Sequence, residues 1–275
     1  MEASPQRNPS VPWGLVCGVV FLCACLLAWG NRSELFELFA RRVTPEHAGV
    51  PASPEQAGVS VSAESTVARL EESKAPGAHE IDYQVDGSPR RALVYGEPWT
   101  EPRPLVLAAD PEGRHDFSMM RLLPAARALR WIVATTPVIR NGSLDAQDTR
   151  ELDALRTQVE QMFRVDRARI ILEGWSGTGC GAYAQVLLNG PLYRGAIVEN
   201  AHMASWRDYG KLATPGKLVY LFTRTGDFNA PHTAALRDTM LAAGYVVEYE
   251  ELPGAHVPLG PEEMLRAARW MESRL

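Results

Sequence analysis

A serine stands where an apolar strand meets a glycine-rich turn in the second half of this chain. Residues 170–173 run into Gly174-Trp175-Ser176-Gly177-Thr178-Gly179. Small residues around a sharp strand-to-helix turn let a serine adopt a strained backbone conformation that exposes its hydroxyl. The first N–H groups of the helix that follows would face an oxyanion forming on a substrate. The pattern therefore predicts Ser176 as a nucleophile, with the N–H of Gly177 as one oxyanion donor.

Glycine-rich turns after strands also occur in nucleotide-binding loops and as plain tight turns. No lysine follows Gly179, as a P-loop requires, and the three glycines do not match the spacing G-x-G-x-x-G. The fifth position of G-x-S-x-G is Thr178 here, with a glycine directly after it. Threonine is still fairly small, so this departure does not exclude a nucleophilic serine.

A serine hydroxyl needs a histidine base, and the histidine needs an acid that fixes its tautomer. Predicted strands at 217–222 and 245–250 end shortly before Asp227 and His256. Ser176, Asp227 and His256 therefore each follow the end of a strand, and the carboxyl ends of parallel strands line one edge of a sheet. This order predicts that the three side chains meet there.

Each of these residues has a simpler interpretation when taken alone. Asp227 also suits a turn after Gly226, and His256 also suits an ordinary loop after Pro253. Glu199 follows another predicted strand and is a competing acid. The three residues in this order, each at a strand end, favour the catalytic interpretation.

The run 164–179 resembles the nucleophile motif of the α/β-hydrolase superfamily. It is most similar to the feruloyl-esterase, polyhydroxybutyrate-depolymerase and prolyl-oligopeptidase-like branches. The segments 226–231 and 253–256 are similar to the acid and histidine loops of those families. The resemblance covers residues 80–275, and it implies Ser176, Asp227 and His256 as a catalytic triad that needs no cofactor.

The resemblance also implies an oxyanion donor in the loop after an early strand. Here the strand 105–109 leads to Asp110-Pro111-Glu112-Gly113 in place of the usual His-Gly start. Proline has no N–H to donate, so Gly113, or Glu112 before it, is the expected donor. The alternative is a simple Asp-Pro turn, which would leave a weak or inactive hydrolase.

Strands and helices alternate through residues 80–275. This alternation predicts an α/β fold, a doubly wound and mostly parallel sheet with helices on both faces. The short connection after Glu199 leaves no room for a large lid. We expect one catalytic domain with an open site that suits polar or extended esters.

The N-terminal region has a different composition. After a tail at 1–10, residues 11–29 are strongly apolar, with Trp13 and Trp29 near the two ends. Such a length spans the ~30 Å hydrocarbon core of a bilayer, and interfacial tryptophans suit its boundaries. The segment is predicted to be a single-pass membrane anchor, with the catalytic domain outside the cytoplasm. A cleaved signal peptide, or a lipoprotein lipidated at Cys25, is the alternative.

Residues 30–79 are predicted to be a juxtamembrane segment and a disordered linker, because their Pro, Ala, Ser, Glu and Gly leave little apolar surface to bury. The chain of 275 residues carries a net charge of −5 without a basic stretch, which argues against a nucleic-acid partner. Cys180 is the one cysteine in the predicted domain, and no metal-ligand spacing surrounds it. We therefore expect no metal site.

Together these features predict a membrane-anchored serine hydrolase whose substrate is a small-molecule or polymer ester. Two alternatives remain open. One is a catalytically weak hydrolase-fold protein that binds at the cell envelope. The other is a peptidase of the prolyl-oligopeptidase type, although the extra propeller domain usual in that branch has no place here.

Overall fold

The computed structural model of the protein describes residues 77–141, 146–201 and 214–275, which form one eight-stranded sheet. The strands are β1 (Ala78–Val85), β2 (Ser88–Tyr95), β3 (Arg103–Ala109), β4 (Ile132–Thr136), β5 (Val165–Trp175), β6 (Gly195–Glu199), β7 (Leu218–Arg224) and β8 (Val246–Leu252). Their spatial order is β1-β2-β4-β3-β5-β6-β7-β8. Strand β2 pairs antiparallel with β1 and β4, and all other neighbours are parallel.

Burial along the strands follows from their place in the sheet. Every residue of β4 and β6 is buried, as expected for central parallel strands covered by helices on both faces. Strand β1 alternates instead, with Ile81, Tyr83 and Val85 buried and the residues between them exposed. Strand β1 was not predicted from the sequence. The strand begins at Ala78, whereas the predicted linker runs to residue 79.

Helices cover both faces of the sheet. They are α1 (His115–Leu129), α2 (Ala146–Met162), α3 (Ser176–Leu188), α4 (Ala230–Ala242) and α5 (Pro261–Glu272). Val106 and Ala108 of β3 share a core cluster with α1 and α5, whereas Leu107, between them, lines a small cavity beside α2 and α3. Successive strand residues point to opposite faces, so the two helix pairs lie on opposite sides. This confirms the predicted α/β architecture with a mostly parallel sheet.

Several sequence predictions concern residues outside the described ranges. They are the tail at 1–10, the membrane anchor at 11–29, and nearly all of the linker at 30–79. Most of the connection between β6 and β7, where no large lid is expected, also lies outside them. Within the described ranges, no helix combines the length and the apolar character that crossing a membrane requires.

Candidate active site

The predicted nucleophile lies at the junction of β5 and α3. Ser176 is the first residue of α3, and its φ is +52°. Such a left-handed conformation costs a non-glycine residue about 1–3 kcal/mol and tends to occur at functional sites. The turn is possible because Gly174 and Gly179 pack closely. A Cβ on Gly174 would lie 2.5 Å from Thr178 O, and one on Gly179 would lie 2.8 Å from Gly174 O.

The structure explains why threonine occupies the fifth position of the motif. Thr178 is buried, and its hydroxyl lies 2.9 Å from two carbonyl oxygens, those of Ala109 and Trp175. The hydroxyl therefore links the end of β3 to the turn that holds Ser176. The second close-packing glycine of the motif is displaced by one position, to Gly179.

The structure brings Ser176, His256 and Asp227 into one hydrogen-bonded chain. His256 Nε2 lies 3.0 Å from Ser176 Oγ, and His256 Nδ1 lies 2.6 Å from Asp227 Oδ2. The Asp227 side chain is fully buried, whereas that of His256 is 24% exposed. The acid is thus shielded from water while the imidazole can reach a ligand, which is the arrangement that serine nucleophiles use.

The loops that carry Asp227 and His256 are joined by backbone hydrogen bonds. Asp227 Oδ1 accepts the N–H of Asn229 at 2.7 Å, which fixes the carboxylate and leaves Oδ2 for the histidine. The N–H of Gly226 donates to Gly254 O at 2.8 Å, and a Cβ on Gly226 would lie 2.6 Å from the same oxygen. A side chain at position 226 would therefore push the two loops apart.

Arg224, at the end of β7, binds the histidine loop at several points. Its guanidinium donates to the carbonyls of Pro253, Val257 and Pro258 at 3.2–3.3 Å, and to Glu263 at 2.9 Å. These acceptors lie on both sides of His256, so Arg224 positions the loop as a unit. This role was not predicted from the sequence, because nothing local distinguishes Arg224 from an ordinary arginine at the end of a strand.

Two aromatic rings flank His256. The Trp175 ring centroid lies 5.3 Å from the imidazole, and that of Phe228 lies 4.6 Å from it. Phe228 is 70% exposed. Phe228 therefore presents an exposed apolar ring next to the imidazole.

Glu199, the competing acid, does not contact His256. It is fully buried with Glu173, and Arg121 lies between them, with its guanidinium 3.0 Å from Glu199 and 2.8 Å from Glu173. Glu199 also accepts the N–H of Leu259 at 2.6 Å. This buried cluster connects α1, β5, β6 and the segment after His256, which makes Glu199 a support for the histidine loop.

Burial raises the pKa of Glu173 well above its ordinary value, because a charged carboxylate is poorly solvated there. Arg121 opposes the rise, and the nearby Glu199 carboxyl adds to it. One arginine faces two carboxyl groups, so a protonated Glu173 leaves the cluster neutral.

The loop after β3 differs from its predicted role. The N–H of Gly113 donates to Asp110 O at 2.8 Å, and those of Glu112 and Arg114 donate to Asp110 Oδ1 at 2.8 and 3.2 Å. Pro111 has no N–H. Gly113, and equally Glu112, is therefore not free to serve as an oxyanion donor, contrary to the expectation from the sequence. The local reason is that Asp110 accepts the N–H groups of its own turn, through its carboxylate and its backbone carbonyl.

Asp110 is itself tied to the nucleophile turn. It is fully buried, and its Oδ2 accepts the indole N–H of Trp175 at 3.0 Å. Burial alone would raise the pKa of Asp110, but the hydrogen bonds from Trp175, Arg114 and the loop N–H groups outweigh it and lower that pKa. Asp110 therefore remains ionised and acts as a structural acceptor.

Gly177, the other predicted oxyanion donor, lies in the first turn of α3. N–H groups in a first helical turn have no intrahelical partner. Within the described ranges, no group of three or more His, Cys, Asp or Glu side chains is arranged to hold a metal ion.

The sequence and the structure were compared with those of known proteins. No protein-family model matches the sequence, and no curated protein matches it either. Solved structures do resemble it. An S-formylglutathione hydrolase from Agrobacterium tumefaciens superposes with a TM-score of 0.60 at 15% identity, covering 74% of this chain and 97% of that one.

Two further structures agree. One is FphF, a fluorophosphonate-binding serine hydrolase of Staphylococcus aureus, with a TM-score of 0.58 at 13% identity, covering 71% of this chain and 98% of that one. The other is the esterase LipW from Mycobacterium marinum, with a TM-score of 0.59 at 15% identity, covering 77% of this chain and 86% of that one. The chain therefore has the α/β-hydrolase fold, as the sequence resemblance implied.

Proposed function

We propose that this protein is a serine hydrolase that cleaves carboxylic esters. The observation that carries the proposal is the chain of hydrogen bonds from Asp227 through His256 to Ser176, with distances of 2.6 and 3.0 Å. The strained φ of Ser176 supports it. A serine with a purely structural role would not need this strained conformation, which is typical of functional sites.

In the proposed mechanism, Ser176 Oγ attacks the acyl carbon while His256 Nε2 takes its proton. Asp227 keeps the other imidazole proton on Nδ1 and stabilises the imidazolium. His256 then protonates the leaving alcohol, and an acyl group remains on Ser176. A water molecule, deprotonated by His256, releases the acid and restores the hydroxyl.

Esters are preferred over peptides for two reasons. The similar solved structures bear the names of esterases and of an S-formylglutathione hydrolase, which are acyl-oxygen and acyl-sulfur hydrolases. The loop after β3 also offers no free N–H from residue 111 to residue 114. A site with few free backbone donors for the oxyanion suits an ester, whose carbonyl is more reactive than that of an amide.

The test uses short p-nitrophenyl esters and a fluorophosphonate probe. We expect the wild-type protein to hydrolyse the esters and to incorporate one probe per chain. Ser176→Ala should abolish labelling and lower kcat by roughly 10⁴- to 10⁶-fold. Ser273→Ala, a change at an exposed serine in the last residues of the chain, is the control and should behave as wild type. Hydrolysis that persists undiminished in Ser176→Ala would refute the proposal.

A second candidate function is a hydrolase-fold protein that binds a ligand without turning it over. The occupied N–H groups of the loop after β3 favour this candidate, since they remove one expected source of transition-state stabilisation. The fluorophosphonate probe separates the two, because only an activated serine reacts with it. Stoichiometric labelling of Ser176 would exclude the inactive protein.

We further propose that residues 11–29 anchor the protein in a membrane and hold the catalytic domain outside the cytoplasm. The support is the sequence itself, an uncharged apolar stretch with a tryptophan near each end. The alternatives of a cleaved signal peptide and of a lipid on Cys25 predict a shorter or lipid-modified mature chain, which mass spectrometry distinguishes.

A further inference from the structure

The proposed reaction needs a second oxyanion donor beside the N–H of Gly177. Hydrolases of this mechanism use at least two donors, and losing one costs about 10²- to 10³-fold in kcat. The loop after β3 does not supply it, because its N–H groups at 112–114 are engaged within the loop. Another group near Ser176 must therefore take that place if the enzyme is active.

Asn141 lies directly against the residue that follows the nucleophile. A Cβ on Gly177 would overlap Asn141 Oδ1, and would lie 3.3 Å from Asn141 Cα. Any side chain at position 177 would collide with the Asn141 amide, so this position requires glycine. No other glycine in the described ranges faces a side-chain amide at such close range.

The backbone of Asn141 is fixed in this position. Its N–H donates to Pro111 O at 2.8 Å, which joins the segment after β4 to the loop after β3. The loop after β3 and the segment after β4 also pack closely at Gly113, where an added Cβ would lie 2.8 Å from Pro137 O. Residue 141 is exposed, so a ligand bound beside Gly177 can reach the Asn141 amide.

We propose that the side-chain amide of Asn141 is the second oxyanion donor, an inference that rests on the proposed esterase function. As the bond from Ser176 Oγ to the acyl carbon forms, the π electrons of the carbonyl move to its oxygen. The N–H of Gly177 and Asn141 Nδ2–H bind that oxygen. A half-turn of the amide places Nδ2 where Oδ1 lies, since the two ends of an amide are nearly equal in size.

The first test measures steady-state hydrolysis of a short p-nitrophenyl ester by the full-length protein. Asn141→Ala should lower kcat by about 10²- to 10³-fold and leave KM within about threefold, because the donor acts on the transition state. Asn141→Asp keeps the shape but removes the donor. Its kcat relative to wild type should rise as the pH falls towards about 4, where a protonated Asp can donate.

Gln84→Ala is the matched control, since it removes an exposed amide from β1 and should leave kcat unchanged. Thermal unfolding of each variant shows whether the fold is retained. Wild-type hydrolysis that depends on Ser176 but is unaffected by Asn141→Ala would overturn this inference and leave the proposed function standing. A wild-type protein without Ser176-dependent activity would overturn the proposed function as well.

A double-mutant cycle tests the contact itself. Gly177→Ala should lower kcat in the wild-type background, because the new methyl group displaces the Asn141 amide. In the Asn141→Ala background the same change should have little further effect, since the space is then empty. Losses that simply add would contradict a shared role for the two residues.

Discussion

At the scale of single residues, Asp227 has the most constrained environment in the site. Its two carboxylate oxygens have separate partners, Asn229 N–H for Oδ1 and His256 Nδ1 for Oδ2. Full burial removes water as a competing partner. The carboxylate therefore selects the imidazole tautomer in which Nε2 is free to accept the proton of Ser176.

Asp227→Asn tests this selection. An amide at this position favours the wrong tautomer of His256, so kcat for a p-nitrophenyl ester should fall by about 10⁴-fold with little change in the fold. The control is Asp238→Asn, whose side chain is 66% exposed on α4 and should leave kcat unchanged. A loss of less than about tenfold in Asp227→Asn would contradict the assigned role.

At the scale of the elements, the histidine loop depends on neighbours distant in sequence. Arg224 binds carbonyls on both sides of His256, and Glu199 accepts the N–H of Leu259. The loop contains Pro253 and Gly254 and is too short to hold itself in place. Its position is set by β6, β7 and α1, through the partly buried Arg224 and the buried Arg121–Glu199 pair.

The buried cluster predicts a pH dependence whose sign follows from the raised pKa of Glu173. The native state binds a proton there that the unfolded state releases above about pH 4.5, the ordinary glutamate value. Stability is therefore lost as the pH rises from that value towards the native pKa. Glu173→Gln mimics the protonated acid and should remove this loss, so the variant should be at least as stable as wild type at neutral pH.

Glu199→Gln is the matched comparison. This change removes the charge that Arg121 and the Leu259 N–H require, and should cost about 1.5–3 kcal/mol of unfolding free energy. Urea unfolding followed by tryptophan fluorescence at pH 5 and pH 8 measures both variants. A greater destabilisation by Glu173→Gln than by Glu199→Gln would show that the ionised carboxylate has been assigned to the wrong residue.

At the scale of the whole molecule, the described residues form one sheet with the site at the carboxyl ends of β5, β7 and β8. Every residue proposed to take part in catalysis lies at position 141 or later. The proposed anchor at 11–29 would therefore determine location without contributing to the reaction.

Membrane fractionation tests the anchor. The full chain should pellet with membranes and resist alkaline carbonate, whereas a chain that begins at Gly77 should stay in solution with unchanged kcat. Val20→Arg combined with Leu22→Arg should release the full chain, because each central arginine costs about 2.5–3.5 kcal/mol. Ser53→Arg, in the predicted linker, is the control. Carbonate release of the wild-type chain, or loss of activity on truncation, would contradict this division of roles.

The sequence by itself determined the features that depend on neighbouring residues. Apolar runs predicted the central strands, and the small residues around Ser176 predicted the strand-to-helix turn. The order of Ser176, Asp227 and His256 predicted that they would meet, because the ends of parallel strands share one edge. Strand β1 was missed because its exposed face carries the charged residues of an ordinary loop.

Only the tertiary structure decided which polar groups are free. Asp110 engages the N–H groups that Gly113 and Glu112 were expected to offer, and Asn141 lies over Gly177 instead. Arg121 meets Glu199 across 78 positions of sequence. Such partnerships depend on how distant segments pack and on which rotamers that packing allows. A sequence pattern records the type of each residue, whereas hydrogen-bond occupancy depends on the three-dimensional position of every neighbour.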